Sequence, residues 1–192
     1  MLRDRRLTAG LAMSVLVSTV LMATLVVGPF YLARGLGLGM AKVGLVMSAG
    51  PLVAAFAGVP AGRLVDRFGA PGMVVVALAG MLLGCVALGV MPAAAGLAGF
   101  MLHIVIITAH YALFQAANNT AVMTDVSPDR RGVISGLLNL ARNLGLIGGA
   151  SVMGAVFAFA SGAGEPAAIA LGLRVTVAVA AALLLARGRQ TA

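Results

Sequence analysis

No aspartate, glutamate, lysine or arginine occurs from Leu7 to Ala33, from Val43 to Gly62, or from Phe68 to Thr124. A helix that crosses a bilayer needs about 20 predominantly apolar residues, so these gaps are one, one and at least two crossings long. The overall composition agrees. Of the 192 residues, 61% are hydrophobic and 9% charged, against about 25% charged in an ordinary soluble domain. A soluble globular enzyme is excluded on that ground.

The net charge of +8 invites a nucleic-acid reading, but that needs basic residues gathered on one solvated face. Here they fall in short clusters between apolar runs: Arg3, Arg5 and Arg6; Arg63 and Arg67; Arg130 and Arg131; Arg187 and Arg189. Such spacing is what the positive-inside rule produces, and no nucleic-acid partner is expected. The first apolar run, Leu7 to Leu32, exceeds the 7 to 15 residues of a signal-peptide core, so it reads as a retained anchor. The single cysteine, Cys85, lies deep in an apolar stretch and reads as a small core residue.

Turn signals divide the apolar sequence into six expected helices, at about 7–32, 43–61, 72–91, 93–124, 128–160 and 166–186. The fold class is therefore all-α, a single six-helix transmembrane bundle in contact with the lipid bilayer. An even number of crossings puts both termini on one side. With the termini cytoplasmic, nine clustered basic residues lie inside and only Arg34 and Lys42 outside. The expectation is an integral protein of a bacterial-type inner (plasma) membrane with cytoplasmic N- and C-termini.

Polarity is uneven among the helices. The third has no strongly polar side chain between Met73 and Met91 and should face lipid. The fourth carries Thr108, Tyr111, Gln115, Asn118 and Asn119 at three- and four-residue steps, which at 100° per residue share a face. The fifth repeats the pattern with Ser135, Asn139, Arg142 and Asn143. Amides can simply bond helix to helix, but a guanidinium at membrane depth costs at least about 2.5 kcal/mol and marks a water-filled path or an ion pair. Tyr111, Gln115, Asn118, Asn119, Asn139, Arg142 and Asn143 are thus the candidate substrate-cavity residues. Arg174 can snorkel to the headgroups. Gly145 and Gly149, four apart, suit a close helix crossing. His103 and His110 cannot clamp one haem iron from both sides of a single helix; no metal or cofactor is expected, and the two read as a buried, hydrogen-bonded pair.

Between the second and third helices the chain reads Gly62-Arg63-Leu64-Val65-Asp66-Arg67-Phe68-Gly69. As a turn it would need its glycines and its positive charge, but not an aspartate. The string resembles the G-x-L-x-D-R-x-G loop motif of the major facilitator superfamily of transporters, on Gly62, Asp66, Arg67 and Gly69. Ala70-Pro71 stands where the family usually continues with basic residues. Gly28-Pro29-Phe30-Tyr31-Leu32, the run from Ala112 to Met123, and Arg131-Gly132-Val133-Ile134-Ser135-Gly136 with Arg142-Asn143-Leu144-Gly145 look like the C-terminal half of the drug/proton antiporter (14-helix) branch.

The resemblance implies one half of the fold, built as 3+3 inverted repeats. In such a half the first and fourth helices line the cavity, the second and fifth border the other half, and the third and sixth face lipid. It further implies export of a small amphiphilic substrate, proton-coupled when complete, with a missing N-terminal half or a second copy as partner. All five acidic residues, Asp4, Asp66, Asp125, Asp129 and Glu165, lie outside the apolar spans, so this half offers no obvious proton carrier. A non-transporting membrane subunit or scaffold, or an inactive truncated fragment, is the competing reading. An intramembrane serine protease is excluded: Val133 stands where the Gly-x-Ser-Gly nucleophile motif needs glycine, and no histidine follows position 110.

Overall fold

A computed structural model describes residues 5–90 and 96–160; the expected sixth helix, with Arg174, lies outside the described residues. The described residues are all helical, without strands: α1 (Arg5–Phe30), α2 (Met40–Met47), α3 (Ala49–Phe68), α4 (Ala70–Val90), α5 (Gly96–Met123) and α6 (Arg131–Ala160). They form five spans long and apolar enough to cross a membrane, because α2 and α3 together make one, Met40–Phe68. Large apolar side chains stand open along α2–α3 (Leu45, Leu52, Phe56, Val59) and along α6 (Leu140, Leu144, Ile147). Water would not tolerate that much apolar surface. The chain is an integral membrane protein.

Chain breaks follow local chemistry. Pro29 sits in the last turn of α1, and beyond it the helix widens to a π-turn, Tyr31–Gly35, with Leu36 N–H donating to Tyr31 O at 3.1 Å. Gly37, at φ 65°, then reverses the chain. The second span, expected at 43–61, is longer at both ends and interrupted. Pro51 has no N–H to give Met47, so α2 ends and α3 begins around Ser48, whose hydroxyl donates to Leu45 O at 2.7 Å. The helix expected at 128–160 opens instead with a 3₁₀ turn, Pro128–Arg130, which makes no side-chain cap bond with Ser127 and leads into α6.

The central helix is α5, which packs on α4, α3 and α1. Against α4 the approach is close: a Cβ on Gly80 would fall 2.0 Å from the His110 ring, and one on Gly84 2.7 Å from Ile107 Cγ1. Around them Val74, Ala77, Leu78, Met81, Cys85, Ile107 and Phe114 form the main buried cluster. Toward the other end Tyr31 stacks on Phe100 at 5.7 Å between ring centres, in a cluster with Leu32, Val43, Val46 and Leu88. α4 buries this one face and exposes Val75, Val76, Leu83 and Val86.

The tightest crossing is between α1 and α6. A Cβ on Gly145 would sit 2.2 Å from Val15 O, and one on Gly149 2.7 Å from Thr19 O; only glycine lets the backbones meet there. The Thr19 hydroxyl, shared with Val15 O, reaches across to Gly145 O at 3.1 Å. By contrast α5 and α6 touch little, their Val122, Ile134 and Leu138 clustering near the shared loop with Leu7 of α1. Arg6 Nη1 donates to Asp125 Oδ2 at 2.8 Å, which puts the start of α1 and the α5–α6 loop at one end of the bundle. Alternation of the spans places the Gly69 turn at that end too.

Candidate functional site

Where α5 and α6 diverge they leave a cleft of about 100 Å³. It is lined by Gln115, Asn119 and Met123 of α5 and by Ser135, Leu138, Asn139 and Arg142 of α6. The α5 residues recur every four positions and the α6 residues at steps of three and four, so each set is one helical stripe. Two stripes facing across a gap is what brings residues 12 to 27 apart in sequence into a single wall.

Inside the cleft Arg142 Nη2 donates to Asn139 Oδ1 at 2.7 Å, one helical turn away. Among the described residues no carboxylate lines the cleft, and Arg142 makes no salt bridge. One turn back along α5, Gln115 Nε2 donates to the Tyr111 hydroxyl at 2.9 Å. That bond fixes the Gln115 side chain, while Tyr111 itself stands beside the lining rather than in it. Arg142 is 11 residues into α6 from Arg131, roughly 16 Å along the axis at 1.5 Å per residue. A hydrocarbon core is about 30 Å thick, so a span that entered it at Arg131 would carry the guanidinium near mid-depth.

The two sequence stripes are therefore split by the fold. Gln115, Asn119, Asn139 and Arg142 come together, joined by Ser135. Asn118 does not join them. It is buried against α1, where Nδ2 donates to Ser14 Oγ at 2.9 Å and to Gly10 O at 3.2 Å; one residue of 100° rotation separates it from Asn119 and turns it to the opposite neighbour. Asn143 is exposed on α6 outside the lining, and Thr108 is buried on the α3 side, near Gly50. Met123 and Leu138, apolar members of the wall, carried no polar signal and were not anticipated. Each histidine bonds its own helix rather than the other: His103 Nδ1 donates to Gly99 O, and His110 Nδ1 to Ile106 O at 2.8 Å. No group of three or more possible metal ligands gathers among the described residues.

The motif from Gly62 to Gly69 is not a loop. It forms the last two turns of α3, with Gly62, Asp66 and Arg67 all helical and only Gly69 outside. Leu64, Val65 and Phe68 continue the apolar periodicity, so nothing stops the helix before a residue that can leave it. Gly69 can: its φ of 83° and ψ of 142° belong to a region populated almost solely by glycine, and its N–H closes the helix onto Val65 O at 2.9 Å. Asp66 is exposed and makes no salt bridge among the described residues. Arg67 lies over the Phe68 ring at 5.3 Å.

A family model for the Major Facilitator Superfamily matches residues 1–150. The chain belongs to the major facilitator superfamily. It is a transporter-family protein and not an enzyme. The uncharacterized transporter YebQ of Escherichia coli (strain K12) is 31% identical over 125 residues, 65% of this chain and 27% of that protein. The riboflavin transporter RibZ of Clostridioides difficile (strain 630) is 27% identical over 156 residues, 81% of this chain and 34% of that protein. This major facilitator chain thus spans about a third or less of the length of the curated relatives it matches.

Proposed function

We propose that the chain is the C-terminal half of a secondary transporter of the drug/proton antiporter branch, exporting small amphiphilic molecules along a path that includes the α5–α6 cleft. The observation that carries this reading is the polar wall of Gln115, Asn119, Ser135, Asn139 and Arg142 in a bundle whose other described faces are mostly apolar. Packing alone would have consumed these groups in helix-to-helix bonds, as it consumes Asn118. Their bonds run instead along their own helices and leave the wall open. Riboflavin, the substrate in the name of one relative, joins a flat ring system to a hydroxylated chain and belongs to the same amphiphilic class.

The packing pattern supports 3+3 inverted repeats. The first span packs on the fifth (α1 on α6) and the fourth on the second (α5 on α3). Exchanging first with fourth and second with fifth carries one pair onto the other, as a two-fold axis between repeats would. In this reading the exposed apolar faces of α2–α3 and α6 border the partner half, and Asp66 with Arg67 at the α3 end engages a neighbouring helix terminus in one transport state.

Cysteine accessibility tests the path. Cysteines replacing Gln115 and Asn139 should react with small, charged thiol reagents added in water, while one replacing Val75 on the outer face of α4 should not. Equal reactivity at the two kinds of site would remove the distinction between path and lipid face.

A further inference from the structure

The cleft is richer in donors than in acceptors, and it holds one fixed positive charge. Arg142 offers five N–H groups, and the structure gives it one acceptor, Asn139 Oδ1. With that oxygen turned to the guanidinium, the Asn139 amide is left with its two N–H donors. The Ser135 hydroxyl and the Asn119 amide add donors and acceptors alike to the same wall, and Gln115, whose Nε2 is given to Tyr111, adds its carbonyl oxygen; the guanidinium keeps donors in excess. Among the described residues no carboxylate lines it: Asp125 is bonded to Arg6 at the bundle end, Asp129 stands in the 3₁₀ turn beside Arg130, and Asp66 lies in the last turn of α3.

The geometry points to the α5–α6 cleft as an anion-binding subsite, in which Arg142 receives the carboxylate, or a comparably small anionic group, of an otherwise apolar substrate. The inference rests on the cleft being part of the substrate path and adds the chemistry that selects what enters it. Size agrees with a headgroup rather than a whole ligand. About 100 Å³ is well below the 300 to 1,000 Å³ or so of a pocket for a drug-sized molecule. The apolar body of the substrate must then extend past Met123 and Leu138, the two apolar residues of the wall. Arginine suits the role: its planar fork matches a carboxylate in two parallel bonds, and it stays charged at membrane depth. Asn139 is the positioning residue, since its bond to Nη2 fixes the plane of that fork.

A pair of probes differing by one charge tests this: coumarin-3-carboxylate and its methyl ester, titrated by fluorescence against the full chain in lipid nanodiscs. The carboxylate should bind about tenfold tighter or more, the scale of one hydrogen bond to a charged group. Arg142→Gln should bring the two probes level, Arg142→Lys should keep part of the preference, and Asn139→Ala should weaken it without abolishing it. Unchanged ester binding by each variant shows that the fold persists. Equal binding of the two probes by the wild-type chain, or a preference that survives Arg142→Gln, would overturn the inference. Thiol labelling at positions 115 and 139 keeps the two readings apart. Reactive cysteines with no carboxylate preference remove the anion subsite alone, whereas unreactive cysteines remove the path and the subsite with it.

Discussion

At the scale of single residues, neighbours in sequence part company. Asn118 and Asn119 are indistinguishable by composition, yet one is locked to α1 through Ser14 and Gly10 and the other lines a cleft. Periodicity narrowed the choice to a face of more than 100° and went no further, because which part of that face meets α1 depends on how far α6 pulls α1 aside. Replacing Asn118 with alanine should lower the stability of the bundle by about 0.6 to 2 kcal/mol, the range for an interhelical side-chain bond in a membrane, while leaving cleft labelling at position 139 intact; unfolding in detergent measures it. At Gly69 a side chain would meet no atom within 4 Å, so Gly69→Ala isolates the backbone effect. Its cost should be about 1 to 3 kcal/mol from the left-handed φ alone, read in the same assay. Gly62, helical and uncrowded, should accept alanine with no such loss.

Elements were legible in proportion to how sharply charge marks their ends. The three charge-free gaps marked the first four spans. Where charge is tolerated inside a helix the reading stopped too soon: Arg63, Asp66 and Arg67 sit on helical turns beyond the expected end at Ala61, since a helix may run past the hydrocarbon into the headgroup layer, where arginines are welcome. The interruption at Ser48 was hidden for the opposite reason, because Pro51 lies within an unbroken apolar run. The glycine spacing of α6 was readable and the partner was not, since nothing in α6 names α1. At this crossing a bulky side chain has nowhere to go. Gly149→Val should separate α1 from α6 and cost about 1 to 3 kcal/mol or more, whereas Gly154→Val, which meets nothing within 4 Å, should be neutral. Unfolding of the two variants in detergent compares them.

For the whole molecule, orientation and dependence on a partner are the open properties. With both termini, Gly69 and the Asp125 to Arg131 segment on the cytoplasmic side, single cysteines at 67 and 130 should resist a membrane-impermeant thiol reagent in intact cells and react in inverted vesicles. Modification from outside would reverse the assignment. Alternating access needs one bundle to rock against another, and no carboxylate of the described residues lies at membrane depth. The chain alone in proteoliposomes under an imposed pH gradient should therefore move no dye, and should do so when reconstituted with an N-terminal half; Asp66→Asn should slow that assembled transport while leaving abundance unchanged. The crossing of α1 with α6 also bears on how the protein is made. The partner surface of α1 is not synthesised until Gly145, some 115 residues after α1 ends, which at about 5 to 20 residues per second is a delay of roughly 6 to 23 seconds. Through that interval the first helix must wait at the ribosome's exit in the bilayer with its groove for α6 empty. Whatever shelters it there, an insertase or the translocation channel itself, sees Ser18 and Thr19 bare, so biogenesis of this chain should be most sensitive to the loss of such a helper before the fifth span emerges.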